Sequence, residues 1–223
     1  MKMVTPQLPY AFSALEPTIS RSALAFHFTR HHVPCYERTL ARVKGTDLQN
    51  HSLSAIVRAS SFRGNRPLCQ DAAAAWNHDF FWKSMRAGGG GPARGLMAEV
   101  IERTYGKFDV FASGFKQAAA SRQGRGWLWV TWYAGQVHLI ATRDNDTPIL
   151  RRHVPLLALD LWEHAYFVDF QNQKDNYTEM FLARLANWEF AEAQLRRRID
   201  AATAALTLVR AGVEVAQLPT PLN

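Results

Sequence analysis

Histidine and carboxylate concentrate in four short stretches of this 223-residue chain. HFTRHH holds His27, His31 and His32; AWNHDFFW surrounds His78; QVHLIAT contains His138; DLWEHAY contains Asp160, Glu163 and His164. A single histidine on an apolar segment is ordinarily a hydrogen-bonded core or surface residue, and that reading applies to His78 and His138 taken alone. DLWEH is more pointed. Asp160 and His164 stand four apart at the end of an apolar run, around Trp162, where side chains can converge on a ligand. Three imidazoles and one carboxylate from well-separated segments suit a redox-capable iron or manganese ion. Trp76, Phe80, Phe81, Trp127, Trp129 and Trp162 would give it a dry shell that controls solvent access and potential. Cys35 and Cys69 lie outside any paired CxxC arrangement, which argues against a structural zinc.

These residues have to be positioned by elements of two kinds. Residues 13–86 read as helical: Ser13–Leu40 has apolar residues at helical spacing, broken by Pro34, and Leu53–Ala59 and Ala72–Met85 continue the pattern. AGGGGPARG (87–95) then breaks regular structure; without the Lys-Ser/Thr ending of a phosphate-binding loop it reads as a linker. Two more helices are expected over Gly95–Tyr105 and Val110–Ala120. GWLWVTWY (126–133) and QVHLIAT (136–142), joined by Ala134-Gly135, read as a strand hairpin, and VPLLALD (154–160) as a third strand. Tyr177–Arg198 reads as one long amphipathic helix, and the alanine-rich stretch from Ala201 as its extension with a disordered end. Strands set between helices give an α+β order.

The bulk composition narrows the function classes. Hydrophobic residues make up 48% and charged residues 20%, as in a globular protein able to bury a sizeable core. No run of about 18 apolar residues predicts a membrane span, and MKMVTPQLPYAF lacks the apolar core of a secretory signal. With only two cysteines, a cytoplasmic protein with no membrane partner is expected. The net charge of +7 admits a nucleic-acid-associated protein, but the basic residues are spread out apart from Arg196, Arg197 and Arg198, and no recognition motif stands out. A diffuse positive field also draws in small anions.

Several motifs, in order, resemble the iron/manganese superoxide dismutase family. LPYAFSALEPTIS (8–20) resembles the family's start, HFTRHH and AWNHDFFW its two ligand helices, GRGWLWV its central strand, LDLWEHAYFVDFQN its most diagnostic segment and NWEFAEAQL (187–195) its last helix. The resemblance implies an N-terminal helical-hairpin domain (1–87) and a C-terminal α+β domain with a three-stranded antiparallel sheet (92–200). An extension, 201–223, follows and is expected to be partly disordered. It implies one iron or manganese ion per subunit on His27, His78, Asp160 and His164, catalysing superoxide dismutation. It implies a homodimer, or a tetramer built from it, in which Glu163 meets His164 of the partner subunit and Tyr166 meets His31 of the partner subunit. Trp76 before the Asn-His pair resembles the iron type. Trp127 belongs to the surroundings of the ion, and His138 falls at no ligand position.

The chain also departs from that pattern. Cys35 stands where the family has a channel-guarding tyrosine, eight residues after the first ligand. Tyr36, one step later, is about 100° around a helix, so Cys35 is expected at the gate unless a kink at Pro34 swings Tyr36 inward. Beside a site that makes peroxide, Cys35 is placed for oxidation if it is ionised and exposed. The outer amide is altered too: Ala74 stands at the iron-type glutamine position and Asn145 at the manganese-type one. Asn145, one methylene shorter, would act only through a water. Gln171 stands where many relatives have arginine, leaving Arg30 and Arg125 as candidates to guide the anion. Readings outside the enzyme class are a metal-binding relative with low dismutase activity, serving as redox sensor or structural subunit, and a basic nucleic-acid-associated protein.

Overall fold

The computed structural model describes Met3 and residues 5–210, so the end of the extension, 211–223, lies outside the described residues. The helical half runs α1 (Arg21–His27), a wide π turn (Phe28–His32), α2 (Val33–Val43), α3 (Leu53–Phe62) and α4 (Arg66–Lys83). The Ser20 hydroxyl accepts from the Ala23 amide at 3.1 Å and starts α1; Asn65 caps α4 in the same way through the Leu68 amide at 3.2 Å. Residues 13–19 are turns rather than helix, and α4 begins at Arg66, not at Ala72, because Asn65 and the following Pro67 make a strong helix start. Pro34 does not break the helix. It has no N–H to give the Arg30 carbonyl and its ring crowds that carbonyl, and the π turn directly before it widens the helix to make room.

The second half runs α5 (Gly95–Tyr105), α6 (Phe108–Ser121), β1 (Gly126–Tyr133), β2 (Gln136–Arg143) and β3 (Val154–Asp160). After them come α7 (Glu163–Phe170), α8 (Lys174–Met180), a second π turn (Phe181–Leu185) and α9 (Trp188–Arg210). The antiparallel sheet has the order β2-β1-β3. The architecture is α+β. Ala134 and Gly135 both have positive φ (49° and 84°), which gives the two-residue turn whose twist matches the strands it joins. β1 is buried on both faces over its first six residues, which explains its Trp, Leu and Val content. Its register sets Trp127 opposite Asp160.

The expected single helix over 177–198 is split at Ala186 and Asn187. The cause is non-local: the Gly90 amide donates to the Ala186 carbonyl at 2.9 Å, the Gly91 amide to the Leu182 carbonyl at 3.0 Å, and the Asn187 amide to the Ser84 carbonyl at 2.9 Å. The glycine run at 87–95 is therefore pinned against the second half of the chain. Ser84 continues the joint: its hydroxyl donates to the Phe80 carbonyl at 2.9 Å and accepts from the Ala158 amide of β3 at 3.0 Å.

Gly90 has φ +76°, and a Cβ there would lie 2.3 Å from the Ala183 carbonyl carbon. Gly90→Ala is expected to lower unfolding stability by at least about 2 kcal/mol through strain and displaced backbone. Urea denaturation of the two proteins, with the same metal content, measures it.

Candidate metal centre

His27 closes α1, His78 lies in α4, Asp160 ends β3, and His164 sits in the first turn of α7. The strand-to-helix corner after β3 holds the last two together. There the Trp162 amide donates to Asp160 Oδ1 at 2.9 Å, fixing one carboxylate oxygen and leaving Oδ2 toward the imidazoles. Oδ2 lies 3.1 Å from His27 Nε2, 3.6 Å from His78 Nε2 and 3.3 Å from His164 Nε2. One donor atom from each of the four residues lies within 4.8 Å of all the others. These four atoms are buried and none has a hydrogen-bond partner. Short separations without hydrogen-bond alignment are what donors arranged around a shared cation give.

The charge state fits a cation as well. Burial lowers His27 from 6.5 to about 4, against the pull of Asp160, and takes His78 well below its ordinary value. For Asp160, burial pushes upward, but His164 and His27 outweigh it and hold the carboxyl below its usual range. Neutral His27 and His78 imidazoles beside an ionised carboxylate give that buried charge little compensation, which is costly without a counter-ion. His78 Nδ1 lies 2.7 Å from the Ala74 carbonyl, which can only accept, so the proton is on Nδ1 and the Nε2 lone pair faces the site. Three nitrogens and one carboxylate match what iron and manganese take.

Aromatic rings wall the group. Trp82 lies 4.7 Å and Phe81 5.7 Å from the His27 ring, Trp127 5.1 Å from His78, and Trp162 5.6 Å from His164. Trp76 stands one layer back, stacked on Phe80 at 5.2 Å. His31 stacks on His164 at 3.7 Å. His32 is buried, stacks on His78 at 5.5 Å and accepts from Trp82 Nε1 at 3.0 Å. Asn77 is also buried, and its importance is absent from the sequence pattern apart from its place beside His78. Its Oδ1, an acceptor, and Trp127 Nε1, a donor, are both buried without partners among the described residues. The Asn145 main-chain carbonyl, rather than its amide, accepts from Asn77 Nδ2 at 3.3 Å, and Asn145 lines a small cavity with Cys69, Gln70 and Ala73.

Cys35 is buried, as is Tyr36. The Asp160 carboxylate is among the charges acting on the Cys35 thiol, whereas burial alone acts on Tyr36. Burial raises the Cys35 thiol, opposed by Arg38, whose Nη2 donates to Sγ at 3.2 Å. The two conditions for ready oxidation, ionisation and exposure, are thus absent. Glu163 is exposed, and Tyr166 is half-buried and stacks on Tyr177 at 5.4 Å. His138 lies away from the group, with Nε2 donating to the Tyr133 carbonyl at 3.2 Å. Arg125 sits over the Trp162 ring at 5.0 Å, and Arg30 is exposed.

The buried histidines make the metal-free protein acid-sensitive. His27 and His32 take up a proton below about 6.5 when unfolded but only near 4 in the fold. The unfolded chain then holds more protons across that window, so stability falls as pH drops from 6.5 toward 4. His27 alone accounts for roughly 3 kcal/mol. Urea midpoints of metal-free protein between pH 6.5 and 4 should decline steeply; a flat profile would contradict buried neutral imidazoles.

Comparison with known proteins agrees with this geometry. The model of the iron/manganese superoxide dismutase alpha-hairpin domain matches residues 3–86, and that of the C-terminal domain matches residues 93–194. A superoxide dismutase (Fe) of Synechocystis sp. is 40% identical over 196 residues, covering 87% of this chain and 98% of the relative. The chloroplastic superoxide dismutase (Fe) 1 of Arabidopsis thaliana is 37% identical, covering 88% of this chain and 92% of its own. A superoxide dismutase (Mn/Fe) of Rickettsia prowazekii is 34% identical, covering 86% and 92%. The chain belongs to the iron/manganese superoxide dismutase family.

Proposed function

We propose that this chain is a superoxide dismutase that holds one iron ion, with manganese as the alternative, on His27, His78, Asp160 and His164. The observation that carries this reading is the set of four buried, unpartnered donor atoms within 4.8 Å of one another. Full-length relatives named as iron and manganese/iron dismutases support it. A bound ion supplies one-electron chemistry, by which two superoxide anions and two protons become dioxygen and hydrogen peroxide. The residues do the rest. Asp160 supplies the charge that retains the cation, the neutral imidazoles supply lone pairs, and the tryptophan wall limits water. Neither Ala74 nor Asn145 supplies the outer glutamine amide, and Trp127 Nε1 and Asn77 Oδ1 are a buried donor and a buried acceptor left without partners among the described residues. His31 and Cys35 line the approach, and the exposed Arg30 together with Arg125 favours an arriving anion. The Cys35 thiol stays protonated at neutral pH and so reacts slowly with the peroxide made next to it. No observation favours a relative without turnover acting as sensor or structural subunit.

We also read the chain as an N-terminal domain to residue 87 and a C-terminal domain over 92–200, in line with the two matched ranges. It works in the cytoplasm, free of membrane and of specific nucleic acid; no described helix is long and apolar enough to cross a membrane. It pairs as a homodimer, with a tetramer as a higher assembly of the same unit. Support for pairing lies in the apolar surface formed by Phe26, Phe167 and Val168, which are 45%, 56% and 49% exposed. The surface includes elements that carry His27 and His164, and the His164 side chain is 14% exposed where Asp160 is fully buried. A partner seated there would close that side, with Glu163 and Tyr166 meeting the opposing histidines.

Stopped-flow decay of superoxide on separate iron-loaded and manganese-loaded preparations, with metal quantified, should show fast turnover in at least one form. Asp160→Ala should lose the ion and reduce turnover by on the order of a hundredfold or more, beyond the effect of outer partners. Stoichiometric metal with no decay in either form would overturn the reading. Light scattering coupled to gel filtration should give a dimer mass, and Glu163→Ala should raise its dissociation constant at least about tenfold; a monomer in the unsubstituted protein would overturn the dimer.

A further inference from the structure

At the opposite end of β3 from Asp160, a cavity of about 840 Å³ opens between the Ala134-Gly135 turn, the turn at Pro148–Leu150 and α9. Asp160 is six residues along the strand from Val154, which lines the cavity, so about 20 Å separates it from the metal group. The volume lies inside the roughly 300–1,000 Å³ range of small-molecule sites.

Its lining is one-sided in charge. Arg58, Arg152 and Arg198 contribute three guanidinium groups, His153 an imidazole, and no described carboxylate lines it. None of the three arginines has a carboxylate within 4 Å among the described residues. Arg58 is the most telling. Its Nη1 donates to the Ile149 carbonyl at 2.7 Å, which fixes the planar head, while Nη2 is buried with no partner among the described residues. A partly buried cation held still with an unused donor is an anion receptor, since the guanidinium fork fits phosphate and carboxylate oxygens. The remaining lining is apolar and aromatic: Trp132, Ile149 and Val154, with the exposed side chains of Leu150 and Ile199 at the rim. Tyr133 stacks on His153 at 4.6 Å and 26°, a flat surface at the same mouth. Inorganic phosphate would use the arginines and leave the apolar floor bare; an uncharged ring would do the reverse.

We infer that this cavity binds a planar aromatic ring bearing a phosphate, the chemistry of a nucleoside monophosphate, at a site separate from the metal centre. The phosphate meets Arg58, Arg152 and Arg198, and the ring covers the Trp132–Ile149 floor or the Tyr133–His153 stack. The inference does not depend on the dismutase reading, because its readout is binding.

The test is calorimetric titration of the metal-loaded full chain with AMP, adenosine and inorganic phosphate. AMP should bind saturably with a dissociation constant below about 1 mM, and the other two at least tenfold more weakly. Arg152→Gln and Arg198→Gln, both at exposed positions where folding is not at stake, should each weaken AMP at least tenfold and leave metal content and superoxide decay unchanged. Absence of saturable AMP binding, equal affinity for phosphate and AMP, or unchanged AMP affinity in both variants would overturn the inference. So would retention of a single-stranded DNA oligomer that AMP does not displace, which would mark a polyanion surface instead.

Discussion

One ionised carboxylate sealed in an apolar interior governs this molecule. Asp160 is fully buried, no lysine or arginine pairs with it among the described residues, and burial keeps the His27 and His78 imidazoles neutral near pH 7. Such an arrangement is unfavourable as bare protein and favourable around a cation. The folding problem and the chemical problem therefore share a solution. The same desolvation that makes the group unstable alone makes it selective for a compact multivalent ion and keeps competing water away.

The two halves of the chain each carry half of the donors. The helical half brings His27 and His78; the sheet half brings Asp160 and His164. Their alignment rests on joints of backbone and small side chains rather than on the donors themselves. Ser84 bonds α4 to β3, the glycine run bonds to the chain around Ala186, and the β1 register sets Trp127 against Asp160. Buried tryptophans then fill the space between, each large apolar side chain contributing about 1.5–3 kcal/mol. Position is thereby set by elements that touch no ion.

Local chemistry was easy to read in the sequence where it decided the outcome. β1 and β3 were legible because strands buried on both faces are continuous apolar runs, and the hairpin because two residues separated two such runs. The start of α4 carried its signal in Asn65 and Pro67, which the apolar spacing masked. The break at Ala186 carried none, since partners about 100 residues away in the chain impose it. The same division holds at the site. Asp160 and His164 stood out by type and spacing, whereas His27 and His78 were singled out as their partners only by the family resemblance. His32 and Asn77 did not stand out, because their surroundings exist only once α1, α4 and β1 have met.

The π turn at Phe28–His32 has the arithmetic of a phase shifter. In an unbroken α-helix, residues eight apart differ by about 80° in azimuth, whereas seven apart nearly eclipse. A π turn absorbs one surplus residue, so Cys35, eight positions after His27, is returned close to the azimuth of His27, and Tyr36 takes the offset that Cys35 would have had. Pro34, by forbidding the ordinary bond to Arg30, makes the tighter alternative unavailable. The helix thus counts in two frames, one that ends on the metal-facing histidine and one that begins after it. Shortening the segment by one residue would restore regular helix and leave the side chains of α2 at nearly the azimuth they have now, because the π turn has already absorbed the surplus.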